Sequence, residues 1–368
     1  LGGDEFAVLI EDFDGTQELE AVAASILRCF EEPFPLGGRQ VSVTASVGIT
    51  AYPMDNADPV ALLNNADIAM YRAKEQARNS FKFFTPSMHE QMLSYHRLET
   101  DLKAAIANDQ FELKYQPQFG LDDHRIHAVE ALLRWNHPAR GHVRPDEFVS
   151  VAEESGYIIP LGVWVIEQVC RQIKQWESAG VLLPRVAINV AAAHFRQAGF
   201  HDEIRRVLDH HGVAANLIEL ELTERSLMED TDATQKCLRQ LKDIGVRLAI
   251  DDFGTGYSCL GYLRRFPLDV LKIDRSFVSD LATSGDAQAI CGAILSIAHR
   301  LSLDAIAEGI ESEQQLAFLT KHGCQFGQGY YFSRPVDPLV IGTLMADRGA
   351  ESARQRRIAH DRVAATAG

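Results

Sequence analysis

Residues 247–254 read RLAIDDFG. A short apolar run that closes on two consecutive aspartates and a glycine has the length and punctuation of a buried strand. Two carboxylates are a poor ending for a core element. They are a good ending at the rim of a parallel barrel, where functional side chains come from the carboxyl ends of several strands. The same pattern recurs outward in both directions. His127–Val129 leads into Glu130, Val186–Ile188 into Asn189, and Leu217–Leu220 into Glu221. Downstream, Val270-Leu271 leads into Lys272, Asp304–Ala307 into Glu308, and Gln325–Gly327 into Gln328. Successive members lie 59, 32, 30, 21, 36 and 20 positions apart, mostly the length of one strand–helix unit. The long first step leaves room for an extra unit. From Phe111 to about residue 345 the chain therefore reads as an α/β protein, a (β/α)8 barrel whose rim carries oxygen donors.

The rest of the chain is read around that barrel. At 368 residues it suits two domains. The net charge of -15 argues against broad electrostatic binding to nucleic acid. An anionic substrate would need metal ions or a few placed Arg and Lys side chains. Cys29, Cys170, Cys237, Cys259, Cys291 and Cys324 are scattered without a CxxC pair, as expected of reduced thiols in a cytoplasmic protein. No apolar run reaches membrane-spanning length. Because the chain opens at Leu1 inside a hairpin-like stretch, it is expected to be a fragment. Further amino-terminal segments, membrane-attached ones included, remain open.

Residues 1–85 alternate strand and helix signals. Phe6–Ile10 and Val41–Thr50 are expected strands, Thr16–Phe30 an amphipathic helix, and Phe81–Phe84 a last short strand. Asp58-Pro59 opens a helix through Ala77, with a capping aspartate and proline at its first position. The sharpest boundary falls at Thr85-Pro86. Residues 86–108 read as a linker helix leading into the barrel, which takes residues 98–345, and residues 346–368 as a polar tail. Gly162–Ala179 is a helix stopped by Gly180.

Glu130, Asn189, Glu221, Asp251, Asp252 and Glu308 are six oxygen donors that the barrel would bring to one rim. Hard oxygen donors suit Mg²⁺ or Mn²⁺, and the adjacent Asp251-Asp252 pair could bridge two ions. Any one of these residues could instead cap the helix that follows its strand. All six together, with Lys272 and Gln328, are poorly explained that way.

The words around these residues, VEALLRWNHP from Val129, then INV, ELTE, DDFGTGYSCL, LKIDRSFV, AEGIES and QGYYFSRP, closely resemble the EAL family over about residues 98–345. The resemblance implies a TIM-like barrel with one antiparallel strand. It also implies a homodimer that hydrolyses cyclic di-GMP to linear pGpG with two Mg²⁺ or Mn²⁺ ions, or else a non-catalytic receptor for that nucleotide. By the same resemblance Glu130, Asn189, Glu221 and Asp251 are primary metal ligands, Asp252 serves the second ion, and Glu308 is a ligand or a general base. Lys272 would orient the attacking water or offset phosphate charge. Arg134, Leu132, Asp274 and Gln328 fall at substrate-contacting positions, Arg134 as a planar phosphate clamp. Glu224 matches a glutamate that steadies the glycine-rich loop Phe253–Leu260. Departures are mild: Ala191 and Cys259 stand where serine is usual, and Arg225 replaces a small polar residue.

At the other end, Gly2-Gly3-Asp4-Glu5-Phe6, with SVGIT at 46–50 and ADIAMYRAKEQARNS at 66–80, resembles the carboxyl-terminal part of the GGDEF family of diguanylate cyclases, an α+β domain. Lys74 and Arg78 lie one helical turn apart, spaced for phosphate contact. Residues that a complete cyclase needs before the signature are absent from this sequence. The expectation is that this part makes no cyclic di-GMP by itself, whereas in a longer protein it could do so or bind GTP and regulate the barrel.

Overall fold

The computed structural model describes residues 3–76, 79–181, 185–228, 231–254 and 263–345. Gly2, Arg78, Cys259, most of the glycine-rich loop and the polar tail, all singled out above, lie outside the described residues. The chain divides into two compact units, Leu1–Thr100 and Asp101–Gly368.

The first unit is built on α1 (Thr16–Arg28), a hairpin of β1 (Phe34–Leu36) and β2 (Arg39–Val41), and α2 (Pro59–Gln76) laid over the parallel pair β3 (Val47–Ile49) and β4 (Phe81–Phe83). Asp58 caps α2, its carboxylate accepting from the Ala61 amide at 3.0 Å. Gly48 lets α2 approach β3, since a Cβ there would lie 1.9 Å from the Ala66 carbonyl oxygen. Ile68, Ala69 and Phe84 make the small core, with Met88 and Met92 of α3 (Pro86–Ala105) against it. Two expected strands are corrected. Residues 5–10 form no strand, and Phe6 is 87% exposed, because no described segment pairs with their backbone. Val41–Thr50 is not one strand either: β2 ends at Val41 and β3 begins at Val47. The division at residues 100 and 101 falls within α3, fifteen residues after Thr85.

The second unit is a closed barrel of eight strands: β5 (Phe111–Gly120), β6 (Ile126–His137), β8 (Arg185–Asn189), β9 (Ile218–Thr223), β10 (Arg247–Phe253), β11 (Val270–Ile273), β12 (Asp304–Ala307) and β13 (Phe326–Gly327). Seven run parallel. β5 runs antiparallel to both of its neighbours, β6 and β13, and its pairing with β6 closes the ring. The reversal follows from the short connection between β5 and β6, which suits a hairpin and is too short for a helical crossover. The long first step between rim residues holds no extra barrel unit. β6 runs on for seven residues beyond Glu130, an appended strand β7 (Gly141–Val143) turns back on it, and two helices follow, α4 (Pro145–Glu154) and α5 (Ile158–Ser178).

Alternation along the strands makes two cores. Outward residues pack under the helices, as with Val165, Ile166, Val169 and Ile173 of α5. Inward residues Ala249, Val270, Ile306 and Phe326 fill the barrel below the rim. At the amino ends of the strands, Arg247 bridges buried Glu219 at 3.2 Å and Asp304 at 2.6 Å. Burial still holds the Glu219 carboxyl above its ordinary pKa, against the pull of Arg247 and Arg185. That end of a barrel serves stability. The five described cysteines are free, and burial pushes the Cys170 and Cys324 thiols up to about 12. No described helix is long and apolar enough to cross a membrane.

The turn after β13 is packed tightly against the segment after β12. A Cβ at Gly329 would lie 2.1 Å from the Ile310 carbonyl oxygen and 2.3 Å from its amide nitrogen. Gly329→Ala is expected to cost about 1–3 kcal/mol, the range for overpacking. All three tryptophans, Trp135, Trp164 and Trp176, lie in β6 and α5. Their fluorescence in urea reads the barrel alone, and the cost appears as a lower midpoint at unchanged slope.

Candidate active site

The carboxyl ends of the parallel strands bring Glu130, Asn189, Glu221, Asp251, Lys272, Glu308 and Gln328 together. Glu130 and Glu221 sit within β6 and β9 and not past their ends, as the apolar runs suggested. They reach the rim because both strands extend further than those runs. β6 gains its length from pairing with β5 and β7.

Lys272 is the centre of the cluster. Its side chain is 1% exposed, and its Nζ lies 2.7 Å from Glu308 Oε1, 2.8 Å from Glu221 Oε2, 3.2 Å from Asp251 Oδ1 and 3.9 Å from Glu130 Oε2. Burial opposes its charge, but the surrounding carboxylates outweigh burial and hold its pKa well above the ordinary lysine value. One ammonium cannot neutralise four carboxylates. Burial pushes Glu221 well above the usual carboxylate range and Glu308 up to about 8, with Lys272 only partly offsetting it in each case. The rim thus gathers more negative charge around Lys272 than its one ammonium can balance.

Two amides hold Glu130 from opposite sides. Asn189 Nδ2 donates to its Oε1 at 2.6 Å, and Gln328 Nε2 donates to its Oε2 at 2.6 Å. Glu221 has no such support. Lys272 is close but out of line, so both Glu221 oxygens are buried without a hydrogen-bond partner. A bulge in β10 between Ile250 and Phe253, with Asp252 in the left-handed region at φ 53°, breaks the strand alternation. The bulge lets adjacent aspartates serve one site. Burial, and after it the charge of Asp251, raises the Asp252 pKa.

The other expected residues take more varied places. Glu224 accepts from the Gly254 amide at 3.1 Å, at the start of the glycine-rich loop. Asp274 caps the short helix Arg275–Ser279, accepting from the Ser276 amide at 3.0 Å and hydroxyl at 2.5 Å. Glu130, Leu132 and Arg134 alternate along one face of β6. Arg134 is half-buried, donates to the Leu133 carbonyl at 2.9 Å, and has its pKa lowered by that burial. Asp4, Glu5 and Phe6 are exposed in the first unit. Gln116 escaped the sequence reading. It is buried on β5 opposite Glu130, in an inward series with Lys114 and Gln118 whose period of two was the available signal.

The donors fit hard divalent cations in kind and in charge. Among the described residues no three Asp, Glu, His or Cys side chains are gathered at ligand distance around one point, because the Lys272 ammonium lies between them. The unpartnered oxygens of Glu221 and the surplus negative charge are what a cation would satisfy.

Comparison with known proteins agrees with this geometry. The family described as EAL domain matches residues 99–335, and that described as diguanylate cyclase, GGDEF domain, matches residues 1–80. The chain is 43% identical to cyclic di-GMP phosphodiesterase NbdA of Pseudomonas aeruginosa, over 91% of this chain and 43% of that protein. It is 40% identical to cyclic di-GMP phosphodiesterase PdeR of Escherichia coli, over 92% of this chain and 51% of that protein. The chain thus spans about half the length of these relatives or less. A solved structure described as PaMucR phosphodiesterase in complex with c-di-GMP is similar at 42% identity and a TM-score of 0.63, over 65% of this chain and 97% of that one. The chain belongs to the EAL family, with its barrel preceded by a segment of the GGDEF family.

Proposed function

We propose that the barrel hydrolyses one phosphodiester bond of cyclic di-GMP to give linear pGpG, with two Mg²⁺ or Mn²⁺ ions. The observation that carries this reading is the charge at the rim. Glu130, Glu221, Asp251 and Glu308 surround one ammonium, with Asp252 next to Asp251, leaving four surplus negative charges when all five acids are ionised, the charge that two divalent ions balance. Relatives that share the fold and carry the named activity support it.

Glu130, Asn189, Glu221, Asp251, Asp252 and Glu308 would hold the ions. When bound, the ions supply positive charge against the phosphate and acidify water. The chain's own residues do the rest. A water oxygen forms the new bond to phosphorus as the bond from phosphorus to the 3′-oxygen breaks. One water proton passes to a rim carboxylate in its ionised form, and Glu308, 2.7 Å from Lys272 Nζ, would take it if the other donors hold the ions. The 3′-oxygen takes up a proton and leaves as a hydroxyl. Lys272 Nζ would orient the water and offset phosphate charge, and Arg134 would hold a phosphate oxygen. Homodimerisation, and GTP at the amino-terminal unit of a longer protein, belong to the same proposal by family likeness.

Chromatography of cyclic di-GMP after incubation with this chain and Mg²⁺, then Mn²⁺, tests the reading. The expected result is pGpG that appears with either ion and stops with EDTA. Tight binding of cyclic di-GMP without pGpG would replace the enzyme reading by that of a receptor.

A further inference from the structure

Gln328 donates from one nitrogen to two acceptors. Its Nε2 lies 2.6 Å from Glu130 Oε2 and 3.0 Å from Gln116 Oε1. Gln116 in turn donates through its own Nε2 to the Ser333 carbonyl at 3.1 Å. Gln328 is 5% exposed and Gln116 7% exposed. A primary amide can be turned over, exchanging its nitrogen and oxygen with little change of shape. Turned over, Gln328 would press its oxygen against the Glu130 carboxylate. A backbone carbonyl cannot be turned over in this way. Ser333 therefore fixes which end of Gln116 faces inward. The inward Gln116 oxygen fixes the nitrogen of Gln328, and that nitrogen fixes Glu130.

We infer that Gln116 is a positioning residue for the cation site, acting through Gln328 to set the orientation of the Glu130 carboxylate. The polarity of the relay originates in the Ser333 carbonyl, at the loop after β13, and ends on β6. It leaves Gln328 Oε1 buried and without a partner in the protein, free to accept from a bound donor. Gln116 touches neither substrate nor ion in this scheme. Its work is to keep Glu130 in one rotamer with one pattern of free lone pairs. Asn189 does the same directly for the other oxygen.

The inference rests on the divalent-ion reading above, so the test measures ion binding as well as turnover. Mn²⁺ is titrated into the full chain by electron paramagnetic resonance, for the parent, Gln116→Leu, Gln328→Leu and the double variant. Removing a partner that orients a ligand from outside the coordination shell costs about 10–100-fold in metal affinity or activity. Gln116→Leu is expected to weaken Mn²⁺ binding by about that factor and to lower kcat at saturating Mn²⁺. In the Gln328→Leu background the second substitution is expected to add less than about twofold, because residues of one network are not additive. A purely structural role predicts a lower tryptophan-monitored urea midpoint with unchanged Mn²⁺ affinity, and that result overturns the relay. Full additivity overturns it too. Should Gln116→Leu not fold, Gln116→Met, of similar length and without either polar atom, takes its place. A parent that binds no Mn²⁺ and makes no pGpG overturns the function reading and the relay with it.

Discussion

Glu130→Ala is expected to abolish measurable hydrolysis of cyclic di-GMP, lowering kcat by about 10²–10³-fold or more, the scale for losing one preorganised electrostatic contact to a transition state. Glu130 is where the site's networks meet. It receives the amides of Asn189 and Gln328 and lies 3.9 Å from the Lys272 ammonium. Its charge also raises the pKa values of Glu221, Asp252 and Glu308. The alanine variant loses a hard oxygen donor, takes the acceptor from the Asn189 amide and leaves the Gln328 amide only its bond to Gln116. It also removes one negative charge from a crowded acidic cluster, which eases repulsion in the metal-free chain. The tryptophan-monitored urea midpoint should therefore fall far less than activity does. Glu130→Gln keeps the size and one acceptor oxygen but not the charge, and is expected to be nearly as inactive. Turnover within a few-fold of the parent in either variant would remove Glu130 from the ligand set.

How much of this was legible in the sequence depends on the range of the forces involved. RLAIDD, IELE and LKID could be read as strands ending at a rim because alternation and apolar runs are local properties. Their joint presence on one barrel follows from spacing. The position of Glu130 within β6 was not legible, because β6 owes its length to two antiparallel neighbours, one of them, β7, appended outside the barrel. Phe6–Ile10 has the composition of a strand, but pairing is a property of two segments, and no described segment pairs with it. Gln116 was invisible for a related reason. Its importance lies in an acceptor contact with Gln328, 212 positions away, and in a carbonyl 217 positions away. Lys272 was read as a helper for water or phosphate. Its place among four carboxylates appears only when β6, β9, β10, β11 and β12 are closed into one ring.

That central place sets the last expectation. Lys272→Met should destabilise the metal-free barrel by about 3–5 kcal/mol at pH 8, the cost of leaving buried charge uncompensated after one partner of a buried ion pair is removed. Methionine matches the length of the lysine stem, so a cavity contributes little. The pH dependence separates electrostatics from packing. Glu308 binds its proton more tightly in the fold, near 8, than in the unfolded chain, near the ordinary 4.5. A group raised in this way contributes stability that is fully present below the unfolded value and is lost as pH rises through the folded one. Without the ammonium the folded values of Glu308 and Glu221 rise further, so the variant loses more over the same window. The gap between parent and variant is expected to be wide at pH 8 and to narrow towards pH 5, where the carboxyls take up protons in both. Mg²⁺ or Mn²⁺ at saturating concentration should recover much of the loss at pH 8, since ions that bind only the folded state stabilise it by mass action. A packing defect predicts a gap independent of both pH and cations. An unchanged gap from pH 5 to pH 8 would deny Lys272 the part of internal counter-ion, and with it the charge balance on which the two-ion reading of this barrel rests.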